Sequence, residues 1–320
     1  MRQFSVITPT FNRAKYLPRV FESLCKQGDV DFEWVIIDDG STDNTKEVAC
    51  GFKTIFEIKY HYQENAGQKA ALNKGFLIAN SHISLSLDDD DRLLPNALEA
   101  VFRYFDAESG MFEHECACLS GLCQYENGDI IGKKFPHDYF VSDHIRYRMN
   151  KNIVGDKSEF WVTNILNKYS FPLIPNEKNI IPSILWSRIA LKYKTLYVNS
   201  LFKEKSFFIG GLSDINASHK YPLGSELYYN ECSLPPFSLK VQLENLSEYI
   251  LFARKNKKMY KEIFLLAKNK HFFALGVIIL LYKNIKSYFK KFPFLYKVWR
   301  LFKKQPKNWK IIQSKEDDLG

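Results

Sequence analysis

Short apolar runs alternate with stretches of helical spacing from residue 4 to about residue 105, and the alternation predicts the fold. Phe4-Ser-Val-Ile-Thr-Pro-Thr-Phe11 predicts a short buried strand that ends at Pro9. Asn12 stands where it can cap the next helix, whose Tyr16, Leu17, Val20, Phe21 and Leu24 fall on one face. Phe32-Glu-Trp-Val-Ile-Ile37 predicts a second strand, Thr45 to Phe52 a helix, and Ile58 to Gln63 a third strand. Asn65-Ala66-Gly67 then opens a helix that runs to about Ala79, and Ile83 to Leu87 predicts a fourth strand. A further helix starts near Pro95. Strand and helix in strict turn imply a parallel sheet with right-handed crossovers. After about Phe105 the alternation weakens. Residues 111–225 mix short strands, turns and helices, including Ile184 to Leu191, and the chain beyond Glu226 is mainly helical. The pattern divides the chain into 1–110, 111–225 and 226–320.

Charge sharpens this division. The 320 residues, 46% hydrophobic and 25% charged, suffice for one large α/β core with a smaller appended unit. Arg254 to Lys310 hold 17 Lys or Arg against Glu262 alone, a net +16, so the remainder carries −7 of the overall +9. A mildly acidic body with a basic tail argues against a global nucleic-acid binder and for an enzyme with a basic surface anchor. The apolar run Phe272 to Tyr282 has eleven residues, and a membrane span needs about 20. Ile285, Phe289, Phe292, Leu295, Val298, Trp299 and Phe302 recur at helical spacing among lysines. Such a helix suits an anionic membrane surface; the alternative is a helix packed on the body with a solvated basic face. The six cysteines form no paired CxxC clusters and read as thiols, not as a zinc site. Ser5 to Phe11 is too short for a signal peptide, so a reducing cytoplasm is the expectation.

The candidate chemistry lies after the strands. Ligands of open α/β sheets bind outside the carboxyl ends of the strands, which places Asp38, Asp39, Gly67 and Asp88 to Asp91 on one rim. Four consecutive aspartates repel one another unless solvated or compensated. One reading is a solvated turn whose acids favour the N-terminal dipole of the next helix. The other is a divalent-ion site, because hard carboxylate oxygens suit Mg²⁺ or Mn²⁺. Asp38 and Asp39 at a neighbouring strand end favour the second, since carboxylates also accept hydrogen bonds from a base N–H or ribose hydroxyls. No P-loop is present, and no GxGxxG follows the first strand.

Ser5-Val-Ile-Thr-Pro-Thr-Phe-Asn12, Val35-Ile-Ile-Asp-Asp-Gly-Ser-Thr-Asp43, Asn65-Ala-Gly67 with Asn73 and Gly75, and Leu87-Asp-Asp-Asp-Asp91 together resemble the family 2 glycosyltransferases. The resemblance is strong over residues 4–105 and loose over 106–215. It implies a GT-A-like α/β fold, a mostly parallel sheet flanked by helices, to which the pattern beyond Glu226 adds a mainly helical, basic C-terminal extension. On this resemblance residues 1–110 are the nucleotide-sugar-binding half and 111–225 the acceptor-side half; the charge and spacing of the tail make 226–320 a helical extension suited to the membrane. The implied reaction is inverting transfer from a nucleotide-sugar, with UDP favoured, to a saccharide or lipid-linked saccharide in surface-polysaccharide biosynthesis. An inactive nucleotide-sugar-binding module of the same fold is the alternative. The basic tail and the expectation of a reducing cytoplasm together place the chain in the cytoplasm, peripheral on the inner face of the membrane.

Residue by residue, the resemblance sets Pro9 and Asp39 against the nucleotide base, with Asp38 supporting the same loop. The DxD motif falls on Asp88-Asp89-Asp90: Asp88 faces the ribose or donor sugar and Asp90 holds Mn²⁺ or Mg²⁺. Asp89 stands where the family often has a small residue, and with four acids in a row the register stays open by one. Lys69 stands where the family often has Arg and would contact the diphosphate. Glu177, in Pro175-Asn-Glu-Lys-Asn179, matches the family's late acidic segment and is the candidate general base; its alternative is a helix N-terminal acid. Asp156, Glu159 and Asp214 are weaker candidates, and Gly210 to Ser213 is a turn that could border the acceptor.

Overall fold

The computed structural model describes residues 3–151, 153, 155–206 and 221–290. Its centre is two strands with every residue buried, β1 (Phe4–Thr10) and β2 (Phe32–Asp38), the pattern of parallel strands covered on both faces. They pair in parallel, and β3 (Glu57–Tyr62) and β4 (Ile83–Ser86) extend the parallel ladder on either side. The other strands are β5 (Arg92–Leu93), β6 (Cys116–Tyr125), β7 (Tyr139–Ser142), β8 (Lys157–Val162) and β9 (Lys194–Lys205). The order is β3-β2-β1-β4-β8-β6-β9-β5, with β7 also on β9. The expected parallel sheet thus holds from β3 to β4. Beyond it the sheet is mixed: β8 runs antiparallel to β4 and β6, and β9 is parallel to β6 but antiparallel to β5 and β7.

Helices α1 (Leu17–Leu24), α2 (Thr45–Gly51), α3 (Gln68–Ile78), α4 (Ala97–Ala107) and α5 (Ser109–His114) connect the strands of the first half. In α3, a Cβ at Gly75 would lie 2.3 Å from Ile7 Cγ2. Only glycine lets α3 sit that close to β1, and this approach fixes the height of its N-terminus above the strand ends. Asn12 does not cap α1, which starts five residues later with Pro18 in its first turn. It takes φ +54°, and its Oδ1 accepts the Thr42 N–H at 2.7 Å while its own N–H donates to Ser41 Oγ at 2.8 Å. A short amide side chain that tolerates positive φ is more useful bridging two loops than ending a helix.

The second half adds α6 (Thr163–Leu166), α7 (Ser183–Ala190), α8 (Pro222–Glu231), α9 (Leu239–Lys255), α10 (Tyr260–Leu266) and α11 (Phe273–Lys290). Tyr228 and Cys232 belong to the main core, and Arg188 of α7 pairs through two nitrogens with Glu231 of α8. A second core begins within α9, where Leu246, Tyr249, Ile250 and Ala253 close on Ile263, Ala267 and Leu280. The helical extension is therefore docked on the body through α8 and α9.

Candidate active site

With β3, β2, β1 and β4 side by side, the loops after β2 and β4 flank the end of β1, where Pro9 is buried and paired with Ile37. Asp39 ties the first of these loops to α3. Its N–H donates to Thr10 O at 2.8 Å, its Oδ1 accepts Gln63 Nε2 (2.7 Å) and Ala66 N–H (2.9 Å), and its Oδ2 accepts Gly67 N–H (2.8 Å). Asp38 accepts the Ser41 N–H at 2.7 Å and the Tyr60 hydroxyl at 2.6 Å. That contact and burial, burial foremost, hold the Tyr60 phenol well above its ordinary range. Both carboxylates are buried and shape the rim through their bonds to loop backbone.

Gly67 opens α3 at φ +96°, and a Cβ there would lie 2.1 Å from the carbonyl oxygen of Lys178. The segment from Phe171 to Lys178 is clamped here. Asn73 exchanges hydrogen bonds with the Phe171 backbone (2.9 and 2.8 Å), and Lys178 Nζ donates to Asn65 Oδ1 at 2.5 Å. Lys69, on the first turn of α3, lies beside Gln68 Oε1 (2.5 Å) and over the Phe171 ring (5.6 Å). Burial pushes its ammonium down to about 8 against the opposing pull of Asp88. Ala66, Lys69, Glu177 and Lys178 line one narrow crevice.

The aspartate loop closes as a turn, Asp91 N–H to Asp88 O at 3.0 Å, and its side chains alternate. Asp88 and Asp90 are half-buried, whereas Asp89 and Asp91 are buried. Asp88 accepts from Gln68 Nε2 at 3.1 Å. Arg13 Nη1 reaches Asp89 at 3.0 Å and Asp90 at 2.5 Å. Burial pushes the Asp89 carboxyl up to about 7, with Arg13 pulling the other way. Asp91 faces Lys205 (3.6 Å) and Lys203 (4.0 Å), and neither of its oxygens has a hydrogen-bond partner. Burial pushes it to about 7 as well. Lys205 also holds Asp156 at 2.9 Å, while burial raises the pKa of Glu159 against the opposing pull of Arg148. Asp214 and the Gly210–Ser213 turn lie outside the described residues.

Among the described residues no three His, Cys, Asp or Glu are arranged to hold a metal by themselves. A Mg²⁺- or Mn²⁺-type ion needs only one or two carboxylates when phosphate oxygens and water complete its shell. Asp88 and Asp90, the two half-buried acids on the rim, fit that requirement and are the residues that would hold it. The neighbouring cations are paired with the acids of this loop and with Asp156. Arg13, Lys203 and Lys205 have no counterpart among the residues singled out from the sequence. Arg13 follows directly on the Ser5–Asn12 segment and could have been found; Lys203 and Lys205 arrive on β9, more than a hundred residues from the loop they compensate.

Glu177 does not begin its own helix, since α7 starts at Ser183. It sits on the first turn of α8 instead: Oε1 accepts Leu223 N–H and Oε2 accepts Gly224 N–H, both at 2.7 Å. Two otherwise unpaired donors of that helix are thereby satisfied. Glu177 also borders an open cleft of about 440 Å³ with Asn176, Leu223, Lys255 and Lys257.

Residues 5–113 match the family model for Glycosyl transferase family 2. The chain carries a family 2 glycosyltransferase domain. This domain holds the Asp39 loop, the start of α3 and all four aspartates; Glu177, Lys203 and Lys205 lie beyond it. An uncharacterised glycosyltransferase of Nostoc sp. is 36% identical over 116 residues, 35% of this chain and 36% of that protein. The GalNAc(5)-diNAcBac-PP-undecaprenol beta-1,3-glucosyltransferase of Campylobacter jejuni is 30% identical over 212 residues, 65% of this chain and 62% of its own length. The chain thus spans less than two thirds of each of these relatives. Residues 1–349 of S. aureus TarS, solved with UDP-GlcNAc, match with a TM-score of 0.60 at 19% identity over 84% of this chain and 77% of that one. At that identity the likeness is one of fold.

Proposed function

We propose that the protein is an inverting glycosyltransferase that moves a sugar from a UDP-sugar to a saccharide or lipid-linked saccharide in surface-polysaccharide assembly. The observation that carries this reading is the meeting, on one rim, of the Asp38–Asp39 loop, Lys69 and the Asp88/Asp90 edge. The TarS complex with UDP-GlcNAc supports the donor class. The undecaprenol diphosphate in the name of the Campylobacter relative supports a lipid-linked acceptor.

In this reading Pro9 and the loop held by Asp39 receive the base, and Asp88 faces the ribose or the sugar. Lys69 contacts the diphosphate. Asp89 stays paired with Arg13 behind the rim. Mn²⁺ or Mg²⁺, when held by Asp88 and Asp90, would offset charge on the departing diphosphate. Glu177 takes the proton of the acceptor hydroxyl. Each of its oxygens accepts one backbone N–H, and a carboxylate oxygen has a second lone pair for a further hydrogen bond. The acceptor oxygen attacks the anomeric carbon opposite the diphosphate, whose bond breaks with its electron pair leaving on UDP, so the configuration inverts. The basic helical extension holds the enzyme on the cytoplasmic face of the membrane.

The test is release of UDP from a panel of UDP-sugars by the full-length protein, with and without Mn²⁺. Metal-dependent release from one sugar supports the proposal. Nucleotide-sugar binding without release, with or without saccharide acceptors, would assign a binding module of the same fold.

A further inference from the structure

Helices α10 and α11 present an apolar surface that nothing in the described structure covers. Their inner sides are spent on the second core through Ile263, Ala267 and Leu280. Their outer sides carry Phe264, Leu265, Leu266, Leu275, Ile278 and Leu281, each between 42% and 58% exposed. Leu275, Ile278 and Leu281 follow at three-residue intervals, so they form a stripe along α11. Phe264 meets Phe273 edge-on at 5.3 Å, which joins the stripe to the outer side of α10. Scattered surface leucines need no explanation, but a contiguous apolar patch marks an interaction site.

We infer that this face of α10 and α11 docks on an anionic lipid bilayer, an inference that rests on the membrane association proposed above and assigns it to particular residues. Charge selects the occupant. Lys261, Lys268 and Lys270 are exposed beside the face, and Glu262 is the lone acid in a stretch of net charge +16 from Arg254 to Lys310. A second copy docked through the same face would bring those cations against their equivalents, because a twofold interface is self-complementary. Anionic headgroups remove that conflict and add attraction for each lysine near the surface. No described helix is long and apolar enough to cross a membrane, so α10 and α11 lie along the interface with their apolar side inward. The face begins at Met259, two residues after Lys257 of the cleft beside Glu177. Docking therefore holds the Lys257 edge of that cleft near the headgroup layer, where the head of a lipid-linked acceptor stands.

The test is co-sedimentation of the full-length protein with phosphatidylcholine vesicles, with and without phosphatidylglycerol, over a salt series. Three proteins are compared: the wild type, the face variant Ile278→Glu with Leu281→Glu, and the tail variant Trp299→Glu with Phe302→Glu. UDP binding and melting temperature check that each is folded, and the exposure of Ile278 and Leu281 makes the face variant tolerable. The wild type is expected to bind phosphatidylglycerol vesicles with a component that salt does not remove. The face variant should partition at least about tenfold more weakly, the scale of losing two buried aliphatic side chains, and the tail variant should keep that component. If the tail variant alone loses binding, the membrane association stands but its assignment to this face is overturned. If no protein binds, the membrane association itself falls. A wild-type dimer that the face variant dissociates, with no vesicle binding, would assign the face to a second copy and overturn the inference.

Discussion

The carboxylate of Asp39 accepts the amide N–H of Gly67 at 2.8 Å, so the end of β2 holds the beginning of α3. Gly67 in turn admits the Lys178 carbonyl, which a Cβ would strike at 2.1 Å. The loop after β2 and the segment around Lys178 thus meet at a residue that has to be glycine. Gly67→Ala should destabilise the fold by about 1–3 kcal/mol, the scale of a non-glycine residue forced into such a backbone conformation. It should also weaken UDP binding, because the crevice lined by Lys69 and Glu177 shifts. Thermal unfolding and calorimetric titration with UDP measure the two effects; an unchanged pair of values would refute the clamp.

The alternation within the aspartate loop predicts distinct roles for its acids. Asp88→Asn and Asp90→Asn should each leave the fold intact, abolish turnover and remove the Mn²⁺ dependence of UDP binding. Near wild-type transfer by both variants would sink the metal assignment. Arg13→Gln leaves Asp89 and Asp90 without their cation, so its melting temperature should fall in the absence of metal. Adding Mn²⁺ should then raise it more than in the wild type.

Lys69 makes the site sensitive to alkaline pH. Its buried ammonium loses its proton near pH 8, and an anionic diphosphate binds the protonated form. UDP affinity should therefore be full below that pH and decline as pH rises through it. Lys69→Arg, which keeps its charge throughout, should bind with little change over the same range. A wild-type affinity that is flat from pH 7 to about 10, the ordinary lysine range, would show that Lys69 does not touch the diphosphate.

Glu177→Gln separates proton transfer from capping. As the general base, its loss should cut turnover by about 10²-fold or more with UDP affinity nearly unchanged. As a cap of α8 alone, the carboxamide would lower the melting temperature by disturbing the bonds to Leu223 and Gly224 while turnover stayed normal.

Much of this rim is legible in the sequence because its parts follow strands whose burial is written locally. The apolar run of β2 ends on Asp38, and that of β4 ends on Asp88, so a parallel sheet must bring them together. Asn65-Ala-Gly67 is equally readable, since only a glycine suits the turn into α3. What escapes is whatever depends on distant partners. Four identical side chains carry no register; the turn from Asp91 back to Asp88 decides which two reach the rim. Lys203 and Lys205 meet Asp91 only because β5, which begins at Arg92, pairs antiparallel with β9. Glu177 looks like the start of its own helix, yet the helix it caps begins at Pro222, and no local pattern encodes that pairing. The tail spacing from Phe292 to Phe302 lies outside the described residues.

We propose the rim built by Asp39, Gly67, Lys69, Asp88 and Asp90 as the nucleotide-sugar site. Thermal shift of the full-length protein against a panel of nucleotide-sugars, with and without Mn²⁺, tests it most directly. One UDP-sugar is expected to raise the melting temperature in a Mn²⁺-dependent way, and Asp88→Asn and Asp90→Asn to abolish the metal dependence. A melting temperature that no nucleotide or nucleotide-sugar moves, with or without metal, would contradict it.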